Sequence, residues 1–120
     1  MVDITKLLFK TLNIESITNL TIDNMVHYLH IPNIPKNGQY VEYEIYNEYG
    51  AGYGDNTEIL TTYKIQIDIF GYEAGDEFFK LEKEIKKAMI SNGFIRENCY
   101  DLYEKDTKLY HKAMRFNITL

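Results

Sequence analysis

The 120-residue sequence predicts an α/β domain of the α+β kind: a mainly antiparallel sheet of about four to five strands, with two helices packed on one face. Several segments alternate between apolar and polar residues, and two others have apolar residues at helical spacing. The order is helix, three strands, helix, two strands. It lacks the regular βαβ alternation of a doubly wound parallel sheet. The length fits a single domain, residues 1–120.

Two segments are predicted to be helices because apolar residues recur on one face. The first follows Asp3, a good N-cap residue, and stops near Asn13. Its apolar residues are Ile4, Leu7, Leu8 and Leu12. The second follows Asp76 and ends before Gly93, a residue suited to a left-handed position after a helix. Its apolar residues are Phe78, Leu81, Ile85 and Met89.

Five segments are predicted to be strands. The clearest is 59–70, with Tyr63, Ile65, Ile67 and Ile69 on one face. Segment 39–47 places Val41, Tyr43 and Ile45 opposite Glu42 and Glu44, as in a half-buried strand. Segment 25–31 is followed by Pro32, so we expect a strand that ends there and a connection after it. Segments 94–103 and 109–120 flank a turn at 104–107, and Met114, Phe116 and Ile118 share a face.

The remaining segments are predicted to be connections, at 14–24, 32–38 and 71–75. The sequence EYGAGYGDNT at 48–57 is long for a hairpin turn, so we expect an exposed and mobile loop. It lacks the lysine and the spacing of a phosphate-binding loop and leads into a strand, which disfavours a nucleotide site. We expect this loop to be flexible or to order on a partner. Its candidate interface residues are Tyr49, Gly50, Gly52, Tyr53, Gly54, Asp55 and Asn56.

The formal net charge of -5 argues against extended neutralisation of nucleic-acid phosphates. The best candidate for a basic patch is 80–87, but Glu82 and Glu84 alternate there with lysines, which is typical of a solvated helix face. The 11 tyrosines and 6 phenylalanines indicate contact surface as well as core. With no long apolar run or signal peptide, we expect cytoplasmic synthesis and no membrane partner.

No set of residues predicts catalysis or cofactor binding. Cys99 is alone, which excludes an internal disulfide, and it has no thiol-nucleophile signature. On a strand, His27 and His30 point to opposite faces, so a metal site that also draws on His111 is disfavoured. Glu42 and Glu44 are better explained as a solvated pair than as hydrolytic carboxylates. We expect a protein that is not an enzyme and has no cofactor or metal.

Two stretches carry a resemblance to a known family. They are YNEYGAGYGDNTEILTTYKIQIDIF at 46–70 and DLYEKDTKLYHKAMRFNI at 101–118. With them, the chain resembles the small tail-component proteins of long-tailed phages and prophages, a group similar to tail-terminator, tail-completion and head-tail joining proteins. The resemblance implies a structural subunit that forms a ring, usually a hexamer, on the last ring of the tail tube.

Such a ring stops tube polymerisation and offers its other side to head-completion or connector proteins. DNA passes through it without specific binding, which an acidic surface favours. The resemblance implies host cytoplasm during assembly and then the head-proximal end of the virion tail. The alternatives are a head-tail connector or neck subunit of similar fold and a small-molecule-binding or enzymatic domain. A deep apolar cavity with convergent polar groups would favour the last.

Overall fold

The computed structural model describes residues 3–120, which form five strands and three helices. In chain order these are α1 (Ile4–Leu12), α2 (Glu15–Thr18), β1 (Val26–Tyr28), β2 (Gln39–Gly54), β3 (Thr57–Gly71), α3 (Asp76–Ser91), β4 (Ile95–Glu104) and β5 (Leu109–Thr119). One sheet has the order β1-β2-β3-β5-β4, and only the β1–β2 pair is parallel. The predicted α+β class is confirmed, with three helices in place of two.

The core lies between one face of the sheet and the helices. The central strands turn their predicted apolar faces toward this core. Ile65 lies opposite Phe116 and Ile67 opposite Met114, and all four side chains are fully buried. The helices contribute Leu8 and Leu12 from α1, Ile17 from α2, and Leu81, Ile85 and Met89 from α3. Because strand side chains alternate, the neighbouring residues of β2, β3 and β5 form a second face outside this cluster.

The helix termini follow the predicted chemistry with one change. The Asp3 carboxylate accepts hydrogen bonds from the backbone N–H groups of Thr5 and Lys6, as predicted for an N-cap. At α3, however, Gly75 is the N-cap, and Asp76 is the first helical residue. An acidic side chain in the first turn still favours the helix through the helix dipole. Gly93 has a φ of +91°, which confirms its left-handed position after the helix.

One predicted connection and one predicted strand differ here from expectation. Helix α2 lies within 14–24 and was missed because four residues are too few for a periodic signal. Only Val26–Tyr28 of the expected 25–31 strand pairs, and it pairs parallel to β2. Leu29 leaves the strand at a φ of +69°. Within 3–120, no helix is long and apolar enough to cross a membrane.

Candidate protein-interaction site

The segment expected to be a mobile loop at 48–57 is instead the end of a long β-hairpin. β2 continues to Gly54 and β3 begins at Thr57, so only Asp55 and Asn56 connect them. Their φ angles of +51° and +66° are those of a type I′ turn, whose twist matches that of a β-hairpin. The expectation of a loop was wrong because the three glycines were taken as loop residues.

The hairpin projects beyond the rest of the sheet. Thr62 pairs with Thr119 and Thr61 exchanges backbone hydrogen bonds with Leu120, so residues 51–60 pair only with each other. At the rise of a strand, this end is roughly 15 Å long. The chain measures 53 × 29 × 24 Å and has a radius of gyration of 15.3 Å. A compact 120-residue domain would have about 14 Å, and the hairpin explains part of the difference.

The glycines shape this end of the hairpin. A Cβ on Gly50 would meet the Tyr53 hydroxyl at 2.1 Å, and one on Gly52 would lie 3.2 Å from Leu60 Cδ1. The β2–β3 register shifts between Gly50 and Gly52 and again between Gly52 and Tyr53. Such bulges bend and twist a strand. The absence of a Cβ at Gly50 therefore lets the Tyr53 ring lie across its own strand without a steric clash.

The projecting end of the hairpin carries both exposed apolar side chains and acidic side chains. Its large side chains remain exposed, with Tyr53 65% and Ile59 64% accessible and Tyr49 and Leu60 close to half. Residues 37–63 contain five acidic side chains and no lysine, arginine or histidine. The structure thus places all seven predicted interface residues, Tyr49 to Asn56 except Ala51, on one projecting element. The sequence did not identify Ile59 and Leu60, which share this surface.

The sheet face opposite the helices carries a connected set of polar side chains. His111 lies 2.7 Å from Asp68, whose carboxylate accepts from Gln66 at 3.0 Å. Arg115 Nε donates to Gln66 Oε1 at 3.0 Å, and its guanidinium lies 4.7 Å from the Tyr46 ring centre. These side chains are half-buried by one another. We call this surface the open face.

A second group on the open face centres on Glu97. Its carboxylate pairs with Lys64 and accepts from Asn117 Nδ2 at 2.7 Å. The hydrogen bond from Lys64 is the main cause that lowers the pKa of Glu97, and burial opposes it. The same hydrogen bond raises the pKa of Lys64. Both groups are therefore charged at neutral pH, and the pair ties β3 to β4 across β5.

One end of the open face is aromatic. The Tyr40 ring stacks on Phe70 at 5.0 Å, and Phe70 stacks on His111 at 4.3 Å. Burial, followed by the charge of Glu42, raises the pKa of Tyr40 to about 12. The phenol is thus neutral at physiological pH. No buried side-chain nitrogen or oxygen among the described residues lacks a hydrogen-bond partner, so the buried polar atoms of this face are satisfied without a helix over it.

The other candidates of the sequence occupy separate places. Glu42 accepts the backbone N–H of Ile31 at 2.7 Å, while Glu44 shares its face and pairs opposite Gln66. His27 pairs with Asp23, and the His30 side chain is 89% exposed. Cys99 packs half-buried against the core. In residues 3–120, no three His, Cys, Asp or Glu side chains are grouped to hold a metal ion.

Two half-open grooves complete the surface. One, of about 510 Å³, lies between the turn after β3 and the segment that follows α2. The other, of about 460 Å³, separates α1 from the C-terminal half of α3. Neither of these two grooves lies on the open face.

No protein-family model matches the chain, and no curated protein is significantly similar to it. The interpretation as a tail component is therefore a hypothesis that depends on the two sequence stretches and on the surfaces described above. The two stretches support the family assignment, and the hairpin and the open face support the mode of action.

Proposed function

We propose that this chain is a structural subunit of a phage or prophage tail, of the tail-terminator or tail-completion type, and not an enzyme. The observation that carries the proposal is the projecting hairpin, which bears exposed tyrosine and isoleucine side chains on two paired strands. An assembly subunit needs such an element, whereas an isolated monomer gains nothing from exposing it. The hairpin is the centre of the resembling stretch 46–70.

The hairpin suits a heterologous contact, in which one surface of a subunit meets a different surface of the next. Such contacts form a ring where the rotation between subunits closes. Tyrosine is favoured there because it gives a large contact area at a low cost in side-chain entropy. We propose a ring, usually of six subunits in the family that the chain resembles, built on this element.

The open face suits the lumen of that ring. It carries five carboxylates against two permanently charged bases, Lys64 and Arg115. The carboxylates are Glu42, Glu44, Asp68, Glu97 and Glu104. A surface of this sign repels DNA phosphates and lets the duplex slide through without adhesion. The partners would then be the tail tube protein on one side and a head-completion or connector protein on the other, at the head-proximal end of the tail.

Hairpin truncation tests this proposal. Gly50 and Thr61 pair directly, so residues 51–60 can be replaced by Asn-Gly, which forms a two-residue turn. Every residue removed is exposed or half-exposed, and none belongs to the core. We expect the shortened chain to fold with an unchanged melting temperature and to fail in complementing a phage that lacks the gene.

The readout is electron microscopy of the complemented lysate. The proposal predicts heads separate from tails, and tails of irregular length, with the truncated chain. A matched control changes the other hairpin turn, with Lys105→Ala and Asp106→Ala, and keeps residues 51–60, which should restore normal particles. Normal tails joined to heads in the absence of the gene would refute the proposal. Labelled copies that lie only on the head side of the joint would instead identify a connector or neck subunit.

A further inference from the structure

We propose that the groove between α1 and α3 receives the hairpin end of a second copy of this chain. The inference rests on the proposed function in taking a neighbouring subunit as the occupant, and it adds the acceptor surface. The groove, of about 460 Å³, is lined by the apolar side chains of Leu7, Ile14 and Ala88 and by small polar residues. Lys10 and Lys87 lie along it, one on each helix.

The lysines beside the groove lack acidic partners. Lys10 follows Lys6 by four residues on α1, and Lys87 follows Lys83 by four on α3, so like charges are neighbours on each helix. None of the four forms an ion pair with the described residues, whereas Lys86 pairs with Glu82 at 3.4 Å. Lys83 and Lys87 are exposed, as the sequence-based prediction of a solvated, mixed-charge face at 80–87 implies, and Lys86 is paired within its own helix. Glu84 is the one acidic residue that lines the groove.

The hairpin end has the complementary character. Tyr53 is its most exposed aromatic side chain, and Asp55 and Glu58 flank it. No base lies in residues 37–63 to neutralise them. An aromatic anchor in an apolar groove, with opposite charges around it, is the usual composition of a contact that contributes most of the binding energy. Within one copy Tyr53 is 65% exposed, so it does not fill the copy's own groove.

The two surfaces differ, which makes the contact directional. The hairpin extends the sheet, and the groove lies in the helix layer on the other side of the core. A hairpin placed in the groove of the next copy leaves that copy's hairpin free for a third. Head-to-tail addition of this kind closes into a ring where the rotation between copies allows it, and it leaves the open face uncovered.

Charge reversal tests the contact. One variant carries Asp55→Lys and Glu58→Lys, a second carries Lys10→Glu and Lys87→Glu, and a third carries all four changes. We expect each of the first two to weaken self-association in sedimentation experiments by at least about tenfold, because like charges then meet. The third should recover it, since the charges are opposite again. A control with Lys36→Glu and Lys105→Glu changes the net charge as the second variant does but alters no groove residue, and it should associate normally.

Disulfide crosslinking tests the geometry even where wild-type association is weak. In a Cys99→Ala background, a Gly54→Cys chain, which keeps the Tyr53 anchor, is mixed with a Ser91→Cys chain at the highest soluble concentration and oxidised. We expect a mixed dimer to exceed both self-crosslinked dimers, and melting temperatures confirm that each chain is folded. Absence of the mixed dimer, or a four-change variant as weak as the double variants, would overturn the inference.

The outcomes separate this inference from the function on which it rests. If the mixed dimer forms but a phage without the gene still makes normal tails, the contact between copies is supported and the tail function is refuted. Defective tails together with absence of the mixed dimer would leave the function and place the acceptor surface elsewhere.

Discussion

Lys112 joins three elements, and its replacement measures how firmly the helix layer is held on the sheet. It lies in β5 on the helix side, where its side chain is 13% exposed. Its Nζ lies 2.9 Å from Glu82 of α3 and 3.0 Å from Asp101 of β4. Burial acts to lower the pKa of Lys112, but the hydrogen bonds to Glu82 and Asp101 together raise it. Lys112 is thus charged at neutral pH.

The two ion pairs contribute unequally because their acidic partners differ in exposure. The Asp101 side chain is 83% exposed, and a pair of that kind stabilises by about 0–1 kcal/mol. Glu82 is 16% exposed, where a charged hydrogen bond contributes roughly 1.5–3 kcal/mol. Lys86 remains 3.4 Å from Glu82 after Lys112 is removed, which keeps the loss near the lower end. We expect Lys112→Ala to lower the free energy of unfolding by about 2 kcal/mol.

For a domain of this size, such a loss corresponds to a fall in melting temperature of roughly 8 °C. Urea denaturation followed by circular dichroism measures the loss in the free energy of unfolding directly. Asp101→Asn is the matched control and should lower the melting temperature by no more than about 4 °C, because it removes only the exposed pair. Equal shifts for Lys112→Ala and Asp101→Asn would refute the assignment of the larger contribution to Glu82.

Two further predictions concern the open face and the hairpin turn. Since the folded pKa of Glu97 is below its ordinary value of 4.5, its pair with Lys64 stabilises the fold fully above that pH and is lost as the pH falls through the folded pKa. Glu97→Gln should therefore lower the urea midpoint at pH 7 and lower it progressively less as the pH falls below 4.5, and a deficit independent of pH would contradict this. At the turn, Asn56 has a φ of +66°, so Asn56→Val should cost roughly 1–2 kcal/mol while Asn56→Gly is tolerated. Equal melting temperatures for the two variants would contradict the type I′ turn.

Much of the sheet could be predicted from the sequence because its strands obey strict alternation. Ile65, Ile67 and Ile69 face the core as their spacing indicates, and so do Met114 and Phe116. The parallel pairing of β1 could not be predicted, since three residues carry no periodic signal and their partner is chosen by packing. Helix α2 escaped prediction for the same reason of length.

The hairpin end did carry a signal that the prediction missed. Glycine occupies positions 50, 52 and 54, and the alternate positions hold Tyr49, Ala51 and Tyr53, which is a period of two. That period is typical of a strand, and the Asp55-Asn56 pair tolerates the positive φ angles of a tight turn. The strand conformation of the interface candidates was therefore predictable from this period. A paired hairpin, unlike a mobile loop, is ordered before it binds and so loses less conformational entropy on binding.

The unpaired strand edges are a competing route to assembly, and their charges disfavour it. The outer edge of β4 exposes Ile95, Tyr100 and Leu102, which would invite pairing with another chain. Yet β4 also carries Glu97, Asp101 and Glu104, and its register shifts between Arg96 and Cys99. The free edge of β2 beyond Tyr43 is acidic as well, with Glu44 and Glu48 and no basic residue. Antiparallel pairing of these two edges would bring carboxylates together, whereas the lysine-lined groove on the helices offers the acidic hairpin the opposite charge. The distribution of charge thus opposes open-ended sheet growth and favours a contact that can close.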